Sequence, residues 1–227
     1  MLLLVCALVA PAAAPAADDP GPSTGGTAPP STGGTAAPEP DPRLTATAHV
    51  LVGKTARFRG VFPSDAGGTV VIERLDPTTA AWIPISRATI GADGAYLARW
   101  RADVAGRITT RALIVRGTEA GAALAPPAPL ETTMTVYRPA VASWYGPGFY
   151  GRTTACGLRM TRKLMGVAHR KLPCGTQVAI TYKGKAITVP VVDRGPFKAG
   201  RRWDLTSAAA GTLGFAYTDR VGALPVD

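Results

Sequence analysis

Seven short runs rich in β-branched and aromatic residues, each closed by a turn signal, fill the stretch from Leu44 to about Arg138 and leave no room for a long helix. Strands are expected near residues 46–51, 54–61, 69–75, 82–88, 95–101, 107–115 and 132–137. So many short strands in so little chain predict a β-sandwich. The clearest turn is Asp93-Gly94, between Ile90 and Tyr96, because Asp-Gly suits the positive φ angles of a two-residue hairpin loop. The 26 glycines and 21 prolines among 227 residues also call for many turns and few helices.

The chain before this region has a different character. Residues 1–17 hold an apolar run, Leu2 to Ala10, followed by Ala and Pro up to Asp18, and read as a secretory signal peptide too short to span a bilayer. Cys6 lies inside the apolar run behind the bulky Val5, so it is read as part of a removed signal and not as a lipidation site. Residues 18–43 contain Pro22 to Ala28 and the same seven residues again from Pro30 to Ala36. Such sequence buries too little apolar surface to offset chain entropy and is read as a disordered linker, with a sugar-modified stalk as the alternative.

Charge divides the remainder. From Val141 onward there are 13 Lys and Arg against four acids (Asp193, Asp204, Asp219 and Asp227), a net of +9 out of +10 for the whole chain. In an exported chain a basic face favours anionic cell-wall polymers over nucleic acid. The candidate clusters are Arg159, Arg162 and Lys163; Arg170 and Lys171; and Arg201 and Arg202. No nucleic-acid partner and no membrane span after signal removal are expected, and the location is secreted or wall-associated.

With Cys6 removed, Cys156 and Cys174 form an even pair in an oxidising compartment and are expected to be a disulfide. Closing a loop of this length stabilises a small domain by roughly 3 kcal/mol. Two cysteines and one histidine make an incomplete zinc set, so no metal and no cofactor are expected.

The residues that speak of chemistry are Asp193, Asp204 and His169. Asp193 ends the apolar run Ile187 to Val192 and enters a Gly-Pro turn, where a side chain can be aimed into a groove. Arg194 beside it weakens it as an acid if the guanidinium faces the carboxylate. Asp204 is either a second polar group of the groove or the N-cap of a helix over the Ser-Ala run that follows. His169 can shuttle a proton or hold a loop. Trp144 and Tyr145 can stack on a sugar or fill a core, with Tyr145 the better binding candidate. Thr154 and Arg194 complete the candidate substrate-binding residues.

Five ordered motifs then carry a family resemblance: Ala142 to Gly146, Gly151 to Gly157, Ala168 to Thr176, Asp193 to Phe197 and Asp204 to Ala209. Together they resemble the rare lipoprotein A (RlpA) group of double-psi β-barrels, related to expansins and to transglycosylases that cut peptidoglycan glycan strands. The resemblance, which runs from Ala142 to about Gly214, implies a six-stranded double-psi β-barrel, so the chain is expected to be all-β, the sandwich at residues 44–138 preceding the barrel at 139–227. Gly53, Gly60, Trp82 and Asp93 to Tyr96 resemble the scaffold of bacterial immunoglobulin-like repeats, and that domain is given a spacing or adhesive role. In the transglycosylase members an acid follows the Gly of the Thr-Ala-x-Gly motif and a second lies three residues on. Here those places hold Leu158 and Thr161. The implied activity is that of a lytic transglycosylase, in which a sugar hydroxyl attacks and one carboxyl group, here Asp193, serves as acid and then base. The alternative is an expansin-like module that binds or loosens the wall without cutting.

Overall fold

The computed structural model describes residues 41–115 and 128–226, so the expected signal peptide and most of the linker lie outside the described residues. The elements run β1 (Arg43–Ala46), β2 (His49–Leu51), β3 (Thr55–Val61), β4 (Thr69–Leu75), β5 (Trp82–Thr89), β6 (Ala95–Arg101), β7 (Gly106–Val115), β8 (Leu130–Tyr145), β9 (Val167–Ala168), β10 (Gln177–Tyr182), β11 (Lys185–Asp193), β12 (Trp203–Thr206), α1 (Ser207–Leu213) and β13 (Asp219–Val226). Among the described residues the structure is all-β apart from α1 and a 3-10 turn at Pro63–Asp65. The expected strands are all present, except that the first divides into β1 and β2 and the last continues to Tyr145.

The N-terminal strands form two facing layers. One is β1-β3-β6, and the other is β5-β4-β7-β8 with β2 added in parallel to β8. Period-2 alternation puts Ala56 and Phe58 of β3, and Tyr96, Ala98 and Trp100 of β6, inside while Arg57, Arg59, Arg99 and Arg101 face water. Across the gap these side chains meet Val70, Ile72, Ile108, Met134 and Val136 in one core. Gly60 pairs with Tyr96, and a Cβ there would lie 1.9 Å from the Arg43 carbonyl and 2.5 Å from the Tyr96 hydroxyl. The missing side chain is what lets Tyr96 lie flat across β3.

The Asp93-Gly94 expectation needs correction. The turn exists, with Gly94 at φ 75 and the Asp93 carboxylate accepting from the Ala95 amide at 3.0 Å, but it does not close a hairpin. β5 pairs with β4 and β6 with β3, so the turn carries the chain from one layer to the other. Asp-Gly specifies a tight reversal, and which strands then pair is set by which faces need burial.

From Arg138 onward the strands close on themselves. The order β8-β13-β10-β11-β9-β12 returns to β8 through the parallel β12–β8 pairing, giving a six-stranded barrel without a free edge. Its interior holds Ala142, Val167, Val178, Ile180, Val189, Val191, Trp203, Leu205 and Val221, with α1 packed on it through Ala209, Ala210 and Leu213. β8 is common to both halves, pairing with β7 through Val136 and with β13 from Arg138. Gly222 marks the contact between them: a Cβ there would lie 2.5 Å from Leu51 Cδ2 and 2.7 Å from both Thr181 Cγ2 and Tyr137 Cβ.

Candidate active site

Four strands of the barrel bring the polar residues to one place. Across β11-β9-β12-β8 the facing residues are Asp193, Ala168, Asp204 and Ser143. Residues directly opposed in paired strands share a face, so the two aspartates flank the small Ala168, about 10 Å apart at the backbone for strands spaced ~4.8 Å apart. Tyr145, two residues beyond Ser143 and opposite Thr206, lies on that same face. Asp193 reaches it because of an irregularity. Val191 faces Val167 in the core, and a regular ladder would set Val192 opposite Ala168, but a bulge sets Asp193 there instead.

The two carboxylates have different surroundings. Asp193 Oδ1 accepts from the backbone amides of Ala155 and Arg194, both at 2.8 Å, so the group is held by main chain. The Arg194 guanidinium turns away, its Nη1 lying 3.9 Å from Cys156 Sγ, and no ion pair to either aspartate forms among the described residues. The adverse Arg194–Asp193 ion pair is therefore absent among the described residues. Asp204 is half-buried, and its Oδ1 has no hydrogen-bond partner. Burial pushes its carboxyl above the usual range, the Ser143 hydroxyl and Arg201 pull it down, and the charge of Asp193 pushes it up again.

Ser143 Oγ and the Tyr145 hydroxyl are likewise buried and without a partner at hydrogen-bond geometry. The Tyr145 phenol is pushed up by burial and then by the charges of Asp193 and Asp204, so it stays a neutral donor. The three buried polar atoms lie beneath the shared face, where the Tyr145 hydroxyl acts on Asp193 and the Ser143 hydroxyl on Asp204. Phe149 adds an apolar side: half-exposed, it meets Tyr145 edge to face at 5.8 Å, with Arg152 over its ring at 5.7 Å.

Other sequence candidates fall elsewhere. Asp204 is not a helix N-cap: Thr206 fills that position, its Oγ1 accepting from the Ala209 amide, and Asp204 stands two residues earlier within β12. Trp144 alternates to the opposite face of β8 from Tyr145, and its indole donates to the Ala216 carbonyl at 2.9 Å. Thr154 is buried and organises its own turn, Oγ1 accepting from the Leu158 amide at 3.1 Å.

The His169 amide donates to the Asp193 carbonyl at 3.2 Å, but its ring does not join the two carboxylates. Its ring packs on Trp203 at 4.5 Å, on the opposite face of β12 from Asp204. Its Nδ1 accepts from the amides of Leu172 (2.9 Å) and Lys171 (3.3 Å), which places the neutral ring's proton on Nε2. Burial, then Arg202, Arg194 and Arg170, hold its pKa below the usual histidine value.

The Cys156–Cys174 disulfide forms as expected. It ties the turn that supplies the Ala155 amide to the segment after His169, so it also steadies the cradle of Asp193. Sequence reasoning did not single out Ser143 or Phe149. Ser143 is signalled only by its period-2 spacing from Tyr145, and Phe149 by nothing short of the fold.

Residues 139–227 match the family described as "Lytic transglycolase". A probable endolytic peptidoglycan transglycosylase RlpA of Synechocystis is 45% identical over 89 residues, which are 38% of this chain and 27% of that protein. One of Aquifex aeolicus is 46% identical over 88 residues, 38% of each. The chain thus spans well under half the length of these curated relatives. Among solved structures, the Streptomyces papain inhibitor aligns over 37% of this chain and 90% of its own, at 24% identity and a TM-score of 0.29. The C-terminal part of the chain is an RlpA-like double-psi β-barrel.

Proposed function

We propose that this RlpA-like barrel acts outside the cytoplasm on the glycan strands of peptidoglycan, as a lytic transglycosylase. The observation that carries the reading is the shared face on which Asp193 and Asp204 stand in unlike environments, above the buried Ser143 and Tyr145 hydroxyls. Glycoside cleavage needs a proton on the leaving oxygen and stabilisation of the positive charge that develops at the anomeric carbon. Asp204, raised by burial and by its neighbour, is suited to hold that proton. This moves the acid from Asp193, where the sequence reading put it, to Asp204. Asp193, its Oδ1 held by two amides, is suited to face the developing charge and to accept from sugar hydroxyls.

In that scheme Asp204 protonates the glycosidic oxygen as the C–O bond breaks. The sugar's own primary hydroxyl then bonds to the anomeric carbon and returns its proton to Asp204. No water enters, and the carboxyl group ends as it began. Tyr145 and Ser143 act on the two carboxylates from beneath, and Phe149 offers an apolar ring for a pyranose face. The two-sheet domain at 44–138 acts as a spacer or adhesive element, residues 18–43 as a tether and residues 1–17 as the export signal.

A second reading rests on Leu158, which stands half-exposed where the transglycosylase members carry an acid. A barrel with an apolar rim there would hold strands without cutting them. Incubating the purified protein with peptidoglycan, intact and stripped of stem peptides, tests both. Anhydro-muropeptides in the products support cleavage, whereas co-sedimentation with the wall and no such product would leave the binding module.

A further inference from the structure

A second built feature surrounds the His169 ring and reaches Arg201, whose charge also acts on Asp204. A hollow of about 390 Å³ is lined by His169, Arg170, Lys171, Gly200, Arg201 and Arg202. A second cleft, of about 290 Å³, shares His169 and Arg202 with it and continues to Arg138. No acidic side chain lines either cleft, and none of these cations forms an ion pair among the described residues.

The cations are not loosely arrayed. The Arg170 guanidinium donates to the carbonyls of Pro196, Lys198 (3.0 Å) and Arg201 (3.4 Å), which fixes its charge and folds the 196–201 loop around it. The Arg202 amide is tied to the Val141 carbonyl at 2.9 Å. His169, 9% exposed, forms part of the wall, with Nδ1 taken by backbone amides and its proton on Nε2. Four like charges gathered around one hollow with no acid in its lining repel one another, and a bound anion offsets that cost.

We propose that this cleft binds the phosphodiester groups of an anionic wall polymer, separately from the glycan site. Guanidinium and ammonium groups are common partners of phosphate oxygens, and those of Arg170, Lys171, Arg201 and Arg202 line one hollow with the His169 ring. The continuation past His169 and Arg202 to Arg138 suits a chain over a single ion. The assignment rests on the wall reading for its choice of polymer, but its test does not use peptidoglycan.

Binding of poly(glycerol phosphate) to the full chain is measured against inorganic phosphate and polygalacturonate, a carboxylate polymer. Arg202→Gln and Lys171→Gln are each expected to weaken poly(glycerol phosphate) about tenfold or more, the size of one lost charge-assisted hydrogen bond. Asp204→Asn should bind it no more weakly than the wild type, whether or not the protein cuts glycan, since Arg201 then loses an acidic neighbour. In the wild type the His169 ring nitrogen resonances should shift on adding the polymer, and the His169 pKa should rise beside the anion, towards which Lys171, Arg170, Arg201, Arg202 and Arg194 act as the opposing charges. Unchanged affinity in folded Arg202→Gln, a silent His169, or equally tight binding of polygalacturonate or of inorganic phosphate would each overturn the proposal.

Discussion

Asp193 and Asp204 both pair with Ala168, one from each side, so the two carboxylates share a face with only a methyl group between them. Their inequality follows from what else each touches. Main-chain amides hold Asp193, while Asp204 Oδ1 has no partner.

Replacing Asp204 with Asn is expected to lower glycan cleavage by about 10²–10⁴-fold, the usual worth of a positioned acid–base group. The same change should raise the melting temperature at neutral pH, because it removes a half-buried charge. The folded-state pKa of Asp204 lies above its unfolded value of 3.8. The group's contribution to stability is therefore fully present below 3.8 and is lost as pH rises through the folded pKa. Thermal melts of wild type and Asp204→Asn from pH 3 to pH 7 should diverge in that direction, and identical pH profiles would remove the basis for Asp204 as the acid.

Asp193 separates chemistry from architecture. Asp193→Asn keeps an oxygen acceptor for the Ala155 and Arg194 amides, so the fold should hold while activity falls. Asp193→Ala removes the acceptor for both amides and should cost about 0.5–1.5 kcal/mol in addition. Denaturant midpoints of the two variants check this, and equal stability would mean that those amides find other partners.

The contact between the two halves is most sensitive at Gly222. Gly222→Val places atoms where Leu51, Thr181 and Tyr137 already pack, and should destabilise by about 1–3 kcal/mol. Adding Leu51→Ala should recover part of the loss, measured as coupling in a double-mutant cycle.

Reducing the Cys156–Cys174 bond should lower stability by roughly 3 kcal/mol if the loop-entropy account holds. Because the bond also anchors the turn that carries the Ala155 amide, hydrogen exchange at Ala155 should quicken on reduction. Unchanged exchange there would detach the disulfide from the Asp193 cradle.

Local pattern carried much of this chain. Strands 69–75 and 95–101 have the bounds that β-branched runs and turns predict, because alternation of buried and exposed side chains is a property of the strand itself. The even cysteine pair likewise announced its bond. Asp93-Gly94 shows the limit: its turn was legible, but the strands it joins belong to different layers. At the site, the order of the motifs pointed to Asp193, Asp204 and His169, with Tyr145 ahead of Trp144, but it could not say which of these side chains share a face.

The sequence by itself determined the strand-rich architecture, the cationic C-terminal half and the residue types available for chemistry, since periodicity, charge and composition are additive along the chain. Only the tertiary structure decided which of those residues meet. A single bulge before Asp193 turns it to the face of Ala168, and strand alternation sends Trp144 and His169 to the other side. Whether Asp204 caps a helix or stands unpartnered beside another carboxylate depends on which strands lie next to β12. That neighbourhood is set by closure of the barrel, which joins segments far apart in the chain.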